Sequence, residues 1–312
     1  MNYREFVGAI EKKMRLYTDP GLTIMVHRNV KNNGIERRGV TFLKEGMNIA
    51  PTIYLEEYFE QYEEGKDLNS ICREILELYE EIRVKKSLHV EMLLSYDAVK
   101  SNLFCKLVNY DENRERMEAF PGVPYRIFKD LAVTVYLMIE IRGIGTATMQ
   151  VTGENLRQWQ VTEELLFRDA WRNTKCLLPA KIQTLSSVIA EIVEGSSGKE
   201  SVKKENREAE RDSIYVLTNQ AGYLGAVCLL YDHLMEQVAD FLKESYYIIP
   251  SSIHEVMIIP ESSSPGAEVL DAMIQEINAT QVAAEEILAG HCYYFDRRNG
   301  CLNQKNYKKS KK

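Results

Sequence analysis

The segment around His254 carries the residue types in this sequence that are best suited to chemistry: Ser251, Ser252, His254 and Glu255. A hydroxyl beside an imidazole can act as nucleophile and base when the two lie within hydrogen-bond distance and a third group orients the imidazole. His254-Glu255 also begins like the zinc motif HExxH, but Ile258 stands where that motif needs its second histidine. The chain has no GxSxG nucleophile elbow either. These four residues are therefore weak catalytic candidates, with turn capping as the simpler role.

Metal and cofactor sites are not indicated. The histidines, at 27, 89, 233, 254 and 291, lie at no metal-ligand spacing from one another. Gly143-Ile144-Gly145 begins like a dinucleotide fingerprint, but Thr148 replaces its last glycine and the turn is predicted to join two strands. We expect no metal and no cofactor.

An acidic, tyrosine-containing segment is one candidate binding surface. Residues 56–81 hold ten acidic and two basic residues, with Tyr58 and Tyr62 among them. This pattern suits a basic protein partner, and equally a solvated helix face above a core stripe. Tyr58 and Tyr62 are weak binding candidates.

Basic residues gather on a predicted hairpin near the N-terminus. Asn33-Gly34 lies between two β-prone runs, 22–30 and 35–43, and both residues of this pair tolerate positive φ. Its weak binding candidates are Arg28, Lys31, Arg37 and Arg38. The chain as a whole carries a net charge of −7, which argues against a dedicated nucleic-acid binder.

Helices and antiparallel hairpins must position these residues. Apolar spacing predicts helices over residues 1–18, 49–65, 67–83, 97–110, 163–173 and 181–194. Thr162 is a predicted N-cap and Asp67 another. After residue 212 we predict strands over 213–219, 223–231, 246–252, 254–260 and 291–297, with helices over 232–243, 266–278 and 282–289. The fold class is α+β, with antiparallel sheets, helices packed on one face, and repeated strand-strand-helix units in the C-terminal part.

Composition changes once along the chain. Residues 195–212 are rich in charges and hold one large apolar residue, Val202. We interpret them as a mobile, charged linker between an N-terminal α+β domain (1–194) and a C-terminal one (213–298). Residues 299–312 are predicted to be a disordered basic tail.

The compartment follows from two absences in the sequence. It has no apolar stretch long enough to cross a membrane and no signal-peptide pattern at its start. Its six cysteines form no CxxC pair, so reduced and mostly buried thiols are expected. These features favour the cytoplasm.

Several segments together resemble an uncharacterised protein family of anaerobic Firmicutes, known as a domain of unknown function. They include KNNGIERRGVTF, NIAPTIYLEEYFEQYEEGKDL, WQVTEELLFRDAWRNT, YVLTNQAGYLGAVCLLY and YIIPSSIHEVMIIP. The resemblance covers nearly the whole chain and implies a bacterial cytoplasmic protein, with no activity or catalytic residue to carry over. The block that runs from DLAVTVYLMIE to the end of VTGENLRQWQVTEELLFRDAWRNT, residues 130–174, is similar, more distantly, to another uncharacterised Bacillus-type family.

The leading functional hypothesis is a non-enzymatic cytoplasmic binding or regulatory protein that acts through protein partners. The alternative is a hydrolase-type enzyme with dispersed residues around Ser251–His254. A third hypothesis is nucleic-acid binding through the basic first hairpin. Local sequence contains no motif that selects a particular substrate.

Overall fold

The computed structural model describes residues 1–18, 21–45, 50–83, 93–119, 122–141, 145–196 and 214–304. They form two compact units. Unit 1 comprises residues 1–99 and 138–149, and unit 2 comprises residues 100–137 and 150–312.

Unit 1 contains a three-stranded antiparallel sheet and an apolar core built with helices. Its elements are α1 (Tyr3–Tyr17), β1 (Leu22–Val30), β2 (Glu36–Lys44), β3 (Thr52–Tyr54), α2 (Glu56–Glu63), α3 (Leu68–Ile82) and α4 (Tyr96–Val99), with strand order β1-β2-β3. The helical spacing of Phe6, Ile10 and Met14 puts them on one face of α1, where they are fully buried. They share a core with Ile71 and Ile75 of α3.

The Asn-Gly hairpin is confirmed. β1 and β2 pair antiparallel from Leu22↔Lys44 to Val30↔Glu36. Asn33 and Gly34 both have positive φ, at 58° and 68°. A short 3₁₀ turn, Asn32–Gly34, joins the strands at this point.

Unit 2 contains two sheets. The elements of the first and its neighbours are β4 (Leu103–Asn109), α5 (Tyr110–Glu118), β5 (Tyr125–Phe128), β6 (Leu131–Ile141), β7 (Gly145–Gln150), α6 (Gly153–Trp159) and α7 (Glu163–Leu177). β6 pairs with β4, β5 and β7, and residues 138–149 of β6 and β7 belong to unit 1. Thr162 caps α7 by accepting from the Leu165 N–H, as predicted.

The second sheet has six antiparallel strands in the order β13-β12-β10-β11-β9-β8. Its elements are β8 (Ala180–Thr184), α8 (Leu185–Ser196), β9 (Tyr215–Asn219), α9 (Leu234–Leu242), β10 (Tyr246–Ile249), β11 (Val256–Pro260), α10 (Ala267–Thr280), β12 (Tyr293–Asp296) and β13 (Cys301–Gln304). Tyr247 and Ile249 pack with Leu270 of α10. Tyr246 alternates with Tyr247 along β10 and therefore lies on the opposite face, where its hydroxyl donates to the Met235 carbonyl of α9. Both faces of this sheet are therefore covered, and the α+β class is confirmed.

Five predicted elements differ from the observed ones. Residues 181–194, predicted as one helix, contain most of strand β8 before α8. Residues 49–65 contain β3 before α2, and residues 97–110 contain β4, which is buried along most of its length, instead of one helix. The apolar run 223–231 forms a 3₁₀ helix, Gly225–Leu230, instead of a strand, so the repeated strand-strand-helix unit is absent there. Residues 282–289 form turns because their backbone bonds to the 250–253 loop: Ile253 N–H donates to Glu286 and Ala289 N–H to Pro250.

The observed division of the chain differs from the predicted one. β8 and β9 flank the proposed linker, 195–212, yet pair side by side from Ala180↔Asn219 to Thr184↔Tyr215. The nearest described strand on each side of the segment thus belongs to the same sheet of unit 2. Residues 197–213 of the linker and 142–144 of the glycine turn lie outside the described residues. The predicted tail from residue 299 is wrong for 301–304, which form β13, and its remainder, 305–312, is also outside them.

No helix among the described residues has the length and apolar character needed to cross a bilayer. All six cysteines are free; Cys72, Cys105, Cys228 and Cys292 are buried, Cys301 is intermediate and Cys176 is exposed.

Candidate functional site

The loop between β10 and β11 holds the predicted catalytic candidates, and its hydroxyls are buried. Ser252 Oγ accepts from the backbone N–H of His254 at 3.0 Å. The His254 carbonyl in turn accepts from the Gly225 N–H and the Thr218 hydroxyl, each at 2.8 Å. Ser251 and Ser252 are each only 6% exposed. Ser252 therefore caps a turn, in agreement with the simpler role.

The His254 imidazole has partners on both ring nitrogens. The Leu224 N–H donates to Nδ1 at 3.2 Å, so the ring proton of the neutral imidazole lies on Nε2. Nε2 lies 3.4 Å from a Glu286 carboxylate oxygen. Tyr223 packs on the imidazole, with ring centroids 5.0 Å apart. This arrangement fixes the ring but offers Ser252 no base.

Glu255 lies beside this pair. Burial raises the pKa of its carboxyl group, while His254 lowers that pKa and Glu286 raises it. Residues 254, 255 and 286 thus influence one another electrostatically. We assign Glu255 no hydrogen bond to the imidazole.

Two local features force this geometry. Asn219, almost fully buried, donates to the Tyr223 carbonyl at 2.7 Å and accepts from the Ala221 N–H at 2.9 Å, which closes the loop. Gly225 lies so close to the neighbouring chain that a Cβ there would stand 2.5 Å from the His254 carbonyl oxygen. The loop thus presents its backbone N–H groups to His254.

Another concave feature of unit 2 is an apolar groove with a volume of about 420 Å³, open to solvent on one side. It is lined by side chains from several elements: Ile127, Phe128, Val133, Trp171, Leu229, Leu230, Tyr231, His233, Met235, Glu236, Phe295, Gly300 and Leu302. We call this set the apolar groove. Its volume lies within the range of ligand sites, and its polar members, His233 and Glu236, are exposed.

Sequence reasoning missed the apolar groove. One wall comes from the 3₁₀ helix Gly225–Leu230, which the sequence predicted to be a strand, and another from β13, which was assigned to the tail. His233, which lines the groove, has a φ of 60°, which is unusual for a residue other than glycine. This backbone angle is a property of the structure, so the sequence alone could not have indicated the groove through it.

The basic candidates of unit 1 are largely engaged within the hairpin. Arg28 forms an ion pair with Glu36 on the opposite strand. The Lys31 ammonium lies 4.1 Å from the centre of the Tyr54 ring. Arg38 donates its backbone N–H to Glu56 at 2.7 Å, and Arg37 also has an interaction of its own. The hairpin therefore pairs part of its positive charge internally.

The tyrosine candidates face the core of unit 1. Tyr58 and Tyr62 are partly buried against the cluster that contains Phe6 and Ile10. The Tyr62 ring lies 5.5 Å from that of Phe6, centroid to centroid. These contacts agree with the core-stripe alternative for residues 56–81.

A second polar cluster, in unit 2, was not predicted. His291 Nε2 lies 2.8 Å from one oxygen of Asp130, and the Tyr293 hydroxyl donates to the other at 2.7 Å. His291 Nδ1 lies 3.2 Å from the Cys292 carbonyl oxygen. The hydrogen bond to Asp130 raises the pKa of His291. Burial alone would raise the pKa of Asp130, but its hydrogen bonds to His291 and Tyr293 outweigh burial, so the pKa of Asp130 is lowered. Within the described ranges, no three metal-ligating side chains come together.

Comparison with known proteins assigns the chain to a family. A model of a family of unknown function, DUF5688, matches residues 3–297, and the chain belongs to that family. No curated protein and no solved structure matches it.

Proposed function

We propose that this DUF5688 protein is a non-enzymatic, cytoplasmic bacterial protein that binds a segment of a partner protein in the apolar groove. The observation that carries the proposal is the lining of the groove, where Phe128, Trp171, Leu230, Met235 and Leu302 converge from separate elements. Large apolar and aromatic side chains at a concave surface are typical anchors for a protein partner.

The open side of the groove favours a partner segment over a small molecule. Ligand pockets bury most of the surface of a small molecule, whereas an open groove accepts side chains that project from a larger body. Ile127 at this groove is 58% exposed, so a bound partner segment would bury apolar surface there.

The negative charge of the groove indicates which residues the partner segment should carry. Glu236 lines the groove, is exposed, and forms no ion pair with any described residue. A partner segment with apolar anchors next to a lysine or arginine would bury the anchors and place its cation near this carboxylate. We therefore expect an apolar segment flanked by a basic residue.

Peptide selection tests the proposal. A random peptide library displayed on phage is selected on the purified full-length protein, and the enriched peptides are synthesised and titrated. We expect apolar peptides with a basic flank, and at least about a tenfold increase in Kd on Ile127→Glu, because a carboxylate in the apolar groove repels the apolar anchors.

The matched control is Ile182→Glu. Ile182 is also exposed and apolar, but lies on β8 outside the groove lining. Enrichment of no peptide, or equal weakening of binding by the two substitutions, would contradict the proposal.

The two alternatives have less support. A hydrolase around Ser251–Glu255 would need a base directed at a serine, whereas Ser252 Oγ accepts from a backbone N–H and His254 Nδ1 from another. Nucleic-acid binding would need the arginines of the first hairpin to be available, whereas Arg28 is paired with Glu36. Both stay predictions.

A further inference from the structure

One face of the first sheet of unit 2 gathers buried nitrogen donors around Tyr136. Lys106 of β4 is only 7% exposed, and its ammonium lies 5.2 Å from the centre of the Tyr136 ring on β6. Lysine is rarely buried to this extent, since its charge must be compensated. A positive charge therefore lies within this face.

Arg116 of α5 brings a second positive charge to the same tyrosine. It forms a side-chain hydrogen bond with Tyr136, and its Nη2 donates to Asn113 Oδ1 at 3.3 Å. Its Nε is buried and has no acceptor among the described residues. No described carboxylate forms an ion pair with this guanidinium either. Arg116 thus presents a buried donor without an acceptor.

Gln150, at the end of β7, supplies another such donor. The Val151 N–H donates to the Val135 carbonyl at 2.9 Å, and this antiparallel register puts Gln150 opposite Tyr136. Residues opposite each other in a sheet point to the same face. The Gln150 Nε2 is buried and also lacks an acceptor in the described part of the chain.

We propose that Arg116 and Gln150, beside Lys106 and Tyr136, form a binding site for a small oxyanion, either a carboxylate or a phosphate. Buried N–H groups are nearly always paired, and two that flank one tyrosine call for a shared acceptor. An oxyanion accepts hydrogen bonds from several donors and compensates the charge of a guanidinium.

This site is separate from the apolar groove. Val133, which lines the groove, and Tyr136 are three residues apart on β6, so their side chains project from opposite faces of the strand. The test of oxyanion binding is consequently independent of the test of the proposed peptide binding.

Calorimetric titration tests the site with two probes, inorganic phosphate and succinate, each against sodium chloride at matched ionic strength. We expect saturable binding of at least one probe to the wild-type protein, and the phosphate and succinate arms identify which oxyanion is preferred. Arg116→Ala and Gln150→Leu should each raise the Kd at least about tenfold, because each removes one donor.

The matched control is Arg114→Ala. Arg114 lies on the same helix, is exposed, and pairs with Glu118 instead of Tyr136. It should leave the Kd within about twofold of wild type. Circular dichroism verifies folding of each variant, and Arg116→Lys, which keeps the charge but loses Nε, replaces Arg116→Ala if the alanine variant does not fold.

The proposal requires both site variants to weaken binding while the control does not. It is overturned if neither probe binds saturably, if either site variant binds like wild type, or if Arg114→Ala weakens binding as much as they do.

Discussion

His291 and Asp130 lie 161 positions apart in sequence, and their side chains meet at 2.8 Å. Asp130 lies in the turn between β5 and β6, and His291 directly precedes β12. The Tyr293 hydroxyl donates a hydrogen bond to the other oxygen of the same carboxylate. This cluster ties the two sheets of unit 2 together through one charged group.

Asp130→Asn should destabilise the protein in a pH-dependent way. The His291 pKa is raised in the folded state, so its contribution to stability is fully present below its unfolded pKa and is lost as pH rises through the folded value. The Asp130 pKa is lowered, so its contribution is present above its unfolded pKa and is lost as pH falls through the folded value. At pH 6 we expect a loss of about 2 kcal/mol in the free energy of unfolding.

Urea denaturation from pH 5 to pH 9 measures this difference. The gap between wild type and Asp130→Asn should narrow at the alkaline end, where His291 is neutral. Asp232→Asn is the control: this exposed carboxylate pairs with Lys175, and its loss should have a much smaller effect. A gap of constant size across the range would show that the charge of His291 contributes nothing.

Gly225→Ala should destabilise unit 2 by about 3 kcal/mol, as overpacking of a buried site does. The added Cβ would stand 2.7 Å from the Thr218 Cα and 2.5 Å from the His254 carbonyl oxygen, both backbone atoms that cannot move freely. Gly290→Ala is the matched control, since nothing lies within 4 Å of its Cβ position. Equal unfolding free energies for the two variants would disprove the close approach.

Cysteine reactivity should follow burial. Cys176 is exposed, whereas burial raises the pKa of Cys105 to about 12 and that of Cys228 to about 11, which keeps both as thiols at neutral pH. Brief treatment of the native protein with iodoacetamide, followed by peptide mass spectrometry, should find Cys176 modified and Cys105 and Cys228 protected. The same treatment in urea is the control that labels all three, and rapid native labelling of Cys105 would contradict the buried position.

Local signals in the sequence predicted local structure well. The Asn33-Gly34 turn and the Asp67 and Thr162 caps were confirmed, because each depends on residues within a few positions of one another. A predicted family resemblance was confirmed as well.

Continuous apolar runs were the point of failure. The run 223–231 is buried along most of its length, so it has no periodicity that separates a strand from a helix. Its 3₁₀ conformation depends instead on the Gly225 N–H reaching the His254 carbonyl, a contact made across the fold. The helix predicted at 282–289 failed for the same kind of reason, since its backbone bonds to Pro250 and Ile253.

The candidate sites were harder to predict than the elements. Ser252 and His254 were recognised by residue type, but their partners, Leu224 and Glu286, come from separate loops. The donors around Tyr136 come from β4, α5 and β7, none of which carries a motif.

The hairpin of β12 and β13 extends past the end of the family match at residue 297, and Gly300 and Leu302 of this hairpin line the apolar groove. A substitution at position 302 therefore reshapes the groove while every residue within the matched range stays the same. The proposed peptide preference of the groove can therefore differ between relatives that share every matched residue.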